Sequence, residues 1–147
     1  MMRRIALVNQ RYGLEVNGGS EYYTRLIAER LTDHYQVDVI TTKAIDYTTW
    51  ENHYTADEEN INGVRVLRFP EAAEKVWFEK QGPFCPKAVK YIAEHKDDYD
   101  VFIFVTYLYY LTVMGMPEVA AKSVFIPTAH EEPFIHFKTF EKLFPMP

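Results

Sequence analysis

A chain of 147 residues, 48% hydrophobic and with 10 Phe, 11 Tyr and 2 Trp, carries enough apolar material for one packed domain, which excludes wholesale disorder. Sixteen Lys and Arg against 21 Asp and Glu leave a net charge of -5 with no long block of either sign, which argues against a protein that coats nucleic acid. The lone Cys85 forms no internal disulfide and no Cys/His spacing fits a zinc site, so a reducing, cytosolic compartment is expected.

Met1 to Arg4 has the charge of a secretory leader, but the apolar run behind it stops at Asn9, Gln10 and Arg11. Ile5 to Asn9 instead reads as a short strand that is apolar without alternation, as in a parallel sheet covered on both faces. Gly13 to Gly19 form a glycine-bearing loop. Ser20 is placed to cap a helix whose Tyr23, Leu26, Ile27, Arg30 and Leu31 follow helical spacing, and Glu21 stands one turn before Arg25. Val37 to Thr42 reads as a second strand and completes a βαβ unit. Lys43 to Glu59 has no period and is expected to be an ordered loop with room for one helical turn.

Asn62-Gly63 is a hairpin-turn dipeptide, and Val64 to Phe69 alternates as a strand with one wetter face that Pro70 ends. Lys75 to Lys80 reads as helical, Gly82-Pro83 breaks the chain, and Pro86 suits the first turn of a helix carrying Val89, Tyr91, Ile92 and His95. Val101 to Val105 is the strongest buried-strand signal. The uncharged stretch from Val101 to Pro117 falls short of the roughly 20 residues of a membrane span and reads as that strand followed by a helix over Tyr107 to Met116. Ser123 to Pro127 is a further strand, and a last helix is expected from near Phe134.

Strands alternating with helices imply an α/β fold, a Rossmann-like open, doubly wound, mostly parallel sheet in a single domain. Ligands of such sheets bind beyond the carboxyl ends of the strands, which points to Asn9 to Gly19, Thr41-Thr42, Thr106-Tyr107 and Thr128 to Glu132.

Gly13 to Ser20 mimics the start of a phosphate-binding P-loop, but Gly19 stands where the lysine is needed, and the dinucleotide fingerprint G-x-G-x-x-G is absent. Two readings of Gly18-Gly19 remain: a tight turn, or a helix N-terminus whose bare backbone admits an anion. His130-Glu131-Glu132-Pro133-Phe134-Ile135-His136 fails the H-E-x-x-H zinc pattern at Phe134, and Pro133 spoils the helix, so no metal is expected. His130 is better placed as a polar group at a cleft mouth, tuned by Glu131 or Glu132, or else as a loop histidine with structural hydrogen bonds. Lys80, Lys87, Lys90 and Lys96 among Phe78, Phe84 and Tyr91 fit either a membrane-facing surface or, in the favoured reading, an ordinary solvated helix. Tyr107, Tyr109 and Tyr110 read as core and cleft-wall residues, and Cys85 has no neighbouring base to make it a nucleophile.

Four stretches together resemble the N-terminal half of family 4 glycosyltransferases of the GT-B class. They are Ile5 to Leu31 with Asn17-Gly18-Gly19-Ser20-Glu21, the Asn62-Gly63-Val64-x-Val66 hairpin, Tyr99-Asp100-Val101, and Pro127-Thr128-Ala129-His130-Glu131-Glu132-Pro133. The resemblance covers nearly the whole chain in order. It implies a hexosyl transfer from a nucleotide-sugar to a saccharide or lipid-linked acceptor, retaining and without a metal or other cofactor. It implies that Gly18 and Gly19 face the donor diphosphate, that His130 is catalytic, and that Asn17, Glu21, Thr106, Tyr107, Thr128, Glu131 and Glu132 line the cleft or acceptor site. Relatives often carry His-Asp-Glu where this chain has His130-Glu131-Glu132, and the stretch from Pro70 to Gly82 is shorter here.

The resemblance also implies a separate C-terminal half, bearing Glu-x7-Glu, that binds most of the donor. On that expectation these residues are one part of an enzyme, inactive alone, with a final strand missing after Phe144. The open sheet edge would then favour self-association. A cytoplasmic location is expected, with peripheral contact at the inner face of the membrane compatible with it. Two rival readings are a non-catalytic α/β binding or assembly module and a nucleotide-dependent oxidoreductase, the latter weakened by the missing fingerprint.

Overall fold

Ile5, Ala6, Leu7 and Val8 are all buried because β1 (Arg4–Val8) runs through the middle of the molecule, its side chains alternating between two apolar layers. A computed structural model describes residues 1–72 and 82–147; the helix expected over Lys75 to Lys80 lies outside them, as do Phe78 and Lys80. The chain continues through α1 (Gly19–Leu31), β2 (Gln36–Thr42), β3 (Glu58–Ile61), β4 (Val64–Phe69), α2 (Pro86–Glu94), β5 (Val101–Val105), α3 (Tyr110–Gly115), β6 (Ser123–Ile126) and α4 (Lys138–Glu141). Short 3-10 turns occupy Lys96–Asp98, Met116–Lys122 and Pro133–His136.

The six strands form one sheet in the order β3-β4-β2-β1-β5-β6, parallel throughout except for the antiparallel β3. The α/β, Rossmann-like architecture expected from the sequence is therefore present. On one face Ile5 and Leu7 pack with Val37, Val39, Val64 and Val66 beneath Ala28 of α1. On the other, Ala6, Val8, Ile40, Leu67, Phe102 and Phe104 pack against Ala88 and Ile92 of α2 and Leu111 of α3. Helices on both faces make the sheet doubly wound. The chain reverses direction across the sheet between β1 and β5, and such a switch point opens a crevice at the strands' carboxyl ends.

At the opposite end of the strands, buried Asp38 ties β2 to β1, to β4 and to Tyr99, two residues before β5. Its Oδ2 accepts from Arg4 Nη2 at 3.0 Å, Arg65 Nη1 at 3.2 Å and Tyr99 Oη at 2.7 Å. Among the described residues no helix is long and apolar enough to cross a membrane.

Several local expectations are corrected. Lys43 to Glu59 is not loop throughout: its end enters β3, which pairs with β4 across Asn62-Gly63, both at positive φ (52° and 87°) as a two-residue hairpin turn requires. The strand exists by that pairing, because Glu58-Glu59-Asn60 has no apolar face to announce it. Helix α3 begins at Tyr110 rather than Tyr107, since the chain leaves β5 through Thr106 at φ 77°. The helix expected from Phe134 is split into the Pro133–His136 turn and α4 by extended backbone at Phe137, which lets Phe140 reach the core edge-on to Tyr107. Ser20 does not cap α1. The helix starts at Gly19 with Gly18 at its N-cap, and Ser20 Oγ bonds Glu21 instead.

Candidate functional site at the carboxyl ends of the strands

The loop leaving β1 is built around a buried ion pair. Arg11 donates from Nε and Nη2 to Glu21 Oε1 at 3.0 and 2.7 Å, and their side chains are only 7% and 6% exposed. The same guanidinium donates to the carbonyls of Asn17 (2.8 Å) and Ile45 (2.6 Å), while Gln10 Nε2 reaches Glu21 Oε1 at 2.9 Å. Asn9 Nδ2 donates to Thr24 Oγ1 at 2.6 Å, and Thr42 Oγ1 donates to the carbonyl of Gln10 at 2.6 Å. The loop is thus held from α1, from β2 and from beneath. Glu21, expected to line the cleft beside Arg25, is instead turned inward and fully engaged, because an unpaired Arg11 there would be a costly buried charge. Arg25 pairs with Glu29 at 3.9 Å.

The two glycines differ. Gly18 has φ 153°, and a Cβ there would lie 2.2 Å from Glu21 Oε2 and 3.0 Å from Arg11 Nη2, so the ion pair itself requires glycine. A Cβ on Gly19 would meet nothing within 4 Å. The first turn of α1 therefore presents an exposed end with no side-chain cap, whose free N–H groups carry the positive end of the helix dipole. Asn17 is exposed beside it.

Across the switch point, Thr106 directly follows β5 and Thr128 lies two residues past β6, with φ values of 77° and 48°. Positive φ is unfavourable for a β-branched residue, and two such residues side by side mark a built feature. Their hydroxyls bond each other at 3.0 Å, and Thr106 is further held by its N–H to Ile126 (2.8 Å) and its carbonyl to Thr112 Oγ1 (2.8 Å). The next residue, buried Tyr107, donates its hydroxyl to Glu132 Oε1. Burial first, and the Glu132 bond second, push the Tyr107 phenol up, so it stays a donor. Glu132 Oε2 then faces His130 Nε2 at 3.8 Å, with the imidazole largely in solvent.

The resulting row of phenol, carboxylate and imidazole leaves an exposed group able to take or give a proton, backed by an acceptor that is itself anchored. Glu131 does not join it; its Oε1 pairs with His136 Nε2 at 2.8 Å. Burial first, and the charge of Glu21 second, push the Tyr109 phenol up, with Arg11 opposing. Trp50 closes on that ring edge-to-face at 5.5 Å. Neither Arg11 nor Trp50 is marked as functional by the sequence; an arginine closing the uncharged run from Ile5 to Gln10 was the available signal.

Thr41 lies near the end of β2 with its hydroxyl buried and without a partner among the described residues. Among the described residues no group of three His, Cys, Asp or Glu stands together as metal ligands would. Of the basic segment, Lys87 and Lys90 are exposed on α2, while Phe84 packs edge-to-face on Tyr110 and Tyr91 stacks on His95. Tyr91 and Tyr110 are half-buried against the core, and Phe84 is half-buried beside Tyr110. Compared with models of known families, with curated proteins and with solved structures, the chain finds no match.

Proposed function

We propose that this chain forms the acceptor-side half of a glycosyltransferase that moves a sugar from a nucleotide-sugar to a saccharide or lipid-linked acceptor. One observation carries the reading. The open, uncapped end of α1 at Gly18-Gly19, which follows β1, and the His130-Glu132-Tyr107 row, which follows β5 and β6, lie beyond the carboxyl ends of strands on opposite sides of the switch point.

In this reading the helix N–H groups meet the donor diphosphate, with Gly19 leaving the room that a close approach needs. His130 serves the acceptor hydroxyl, and Glu132 orients its imidazole. Thr106 and Thr128 shape the floor between them. Stabilisation of the departing diphosphate falls mainly to a second, C-terminal half, so these 147 residues alone should not turn over. The retaining, metal-independent chemistry rests on the resemblance noted above, and a nucleotide-sugar substrate implies reaction in the cytosol, with lipid-linked acceptors at the membrane face.

The test is donor hydrolysis and sugar transfer by the longest natural reading frame containing this segment, across UDP-, GDP- and dTDP-sugars. Turnover that collapses in His130→Ala supports the assignment. No turnover with any donor, or full activity without His130, defeats it. An assembly module is the second reading, favoured by β6, which is paired on one side only among the described residues and carries Val124 at 47% exposure. Sedimentation that shows a concentration-dependent dimer, lost in Val124→Lys, would favour that reading.

A further inference from the structure

Arg68, at the carboxyl end of β4, is a cation whose side chain is completely withdrawn from solvent. Its Nη2 donates to Glu59 Oε1 at 3.0 Å, and the ring of Tyr54 lies 3.5 Å from the guanidinium carbon. Among the described residues Nε and Nη1 have no acceptor. Register places Thr41 directly beside it on β2, with its hydroxyl also unpaired, and the hydroxyl of Tyr12, in the same layer under α1, is unpaired too. Four of the six buried side-chain polar atoms without a partner among the described residues belong to these three side chains. Folds normally avoid such concentrations, so this one asks for an explanation.

The cover over the cluster is the ring of Tyr54, carried on a strap, residues 43–57. The strap is anchored on either side of that residue, by Arg11 Nη1 on the Ile45 carbonyl at 2.6 Å and by the Arg68 N–H on the Asp57 carbonyl at 2.8 Å, whereas the Tyr54 side chain makes one hydrogen bond among the described residues, its Oη donating to exposed Glu15 at 2.6 Å. Gly13 makes the seating possible, since a Cβ there would lie 2.2 Å from Tyr54 Oη. A swing of Tyr54 would uncover Arg68 at the strand ends, the edge at which such sheets take ligands. Arginine only donates, and both hydroxyls have donors to give, so the complementary group is an anion rich in acceptors.

We propose that Tyr54 covers a cryptic oxyanion site, formed by Arg68, Thr41 and Tyr12, that takes the phosphate group of a small phosphorylated ligand. The site lies under the strap and does not depend on the transferase reading; its test uses stability and needs no turnover.

The 147-residue chain is melted in increasing inorganic phosphate, in glucose 1-phosphate and in glucose, each against sodium chloride of equal ionic strength. The expected result is a saturable rise in Tm, about 8 °C once phosphate exceeds its Kd about 100-fold. Glucose alone has no effect. A stronger response to the ester assigns a phosphorylated saccharide as the ligand, and an equal response assigns the phosphate group alone; either supports the site. Arg68→Met abolishes the rise without lowering Tm in chloride, because a buried guanidinium with two of its three nitrogens unpaired, whose one ion pair is with half-exposed Glu59, gives way to an apolar chain. Tyr54→Phe frees the latch to Glu15 and shifts the phosphate midpoint several-fold lower. The proposal is overturned by the absence of a saturable rise in the wild type, by a rise that survives Arg68→Met, or by an unchanged midpoint in Tyr54→Phe. A large loss of Tm, or failure to fold, in Arg68→Met would make Arg68 a structural cation instead.

Discussion

Substituting alanine at Gly18 and at Gly19, neighbours in the chain, should give opposite results. At Gly18 the new methyl would stand 2.2 Å from a Glu21 carboxylate oxygen, on backbone at φ 153° that L residues rarely adopt. Backbone strain of that kind costs about 1–3 kcal/mol, and forcing Glu21 away from Arg11 adds to it. We expect Gly18→Ala to lose about 2–4 kcal/mol, a Tm lower by about 5–15 °C for a domain of this size. At Gly19 the methyl meets nothing within 4 Å and falls in the first turn of a helix, where alanine is preferred over glycine by up to about 1 kcal/mol. Gly19→Ala should therefore be as stable as the wild type or slightly more so. In the full reading frame it should nonetheless raise the KM for the nucleotide-sugar about tenfold or more, because the methyl occupies the approach to the helix N–H groups. Differential scanning calorimetry of both variants, paired with donor kinetics, checks each half. A Tm for Gly18→Ala within 1–2 °C of the wild type, taken as about measurement scatter, would refute the packing argument. Unchanged donor kinetics in Gly19→Ala would refute a diphosphate at this helix end.

The remaining expectations concern strain and buried ionisable groups. Thr128→Gly relieves a β-branched residue at φ 48° and should leave urea stability unchanged or raised by up to about 1 kcal/mol, while transfer activity falls; a clear loss of stability would show the residue is there for the fold. Burial first, then hydrogen bonds to Asp38 and Tyr91, hold the Tyr99 phenol well above its ordinary value of 10.0, and burial does the same for Tyr12. The folded state keeps those protons longer than the unfolded chain, so their contribution is complete below pH 10 and lost as pH rises beyond it. Each group takes away at most about 1.4 kcal/mol per pH unit. Denaturant melts between pH 8 and 12 should show that decline, and Tyr99→Phe should soften it. The Cys85 thiol is wholly buried, and burial pushes it up to about 12, so it should resist a thiol reagent at pH 8 until the protein is unfolded. Prompt labelling of the native chain would contradict its placement.

The strands that form the centre of the sheet were legible because their burial is recorded in composition. Ile5 to Val8 and Val101 to Val105 are apolar at successive positions, and only strands covered on both faces need that. Asn62-Gly63 was legible for a different reason: the turn demands positive φ at both residues, which Asn and Gly accept. Strand β3 was not, since a charged edge strand takes its stability from a partner rather than from its own pattern. Helical spacing set Glu21 beside Arg25, and it could not reveal that Arg11, arriving from a loop ten residues earlier, would bind the carboxylate instead.

The same division runs through the candidate site. Its location at the strand ends follows from the order of strands and helices, and the residues expected there, Gly18, Gly19, Thr106, Thr128, His130 and Glu132, could be named in advance. The pairings could not. That Glu132 rather than Glu131 stands by His130, anchored by Tyr107, depends on how the chain turns after β6, and that Arg68 lies sealed beneath Tyr54 depends on a strap with no periodicity of its own. The sequence alone determined which segments must be buried, because hydrophobic burial is a property each segment carries with it. Which polar groups meet was decided by the tertiary structure alone, because a hydrogen bond or ion pair in a dry interior depends on ångström-scale distances between residues far apart in the chain.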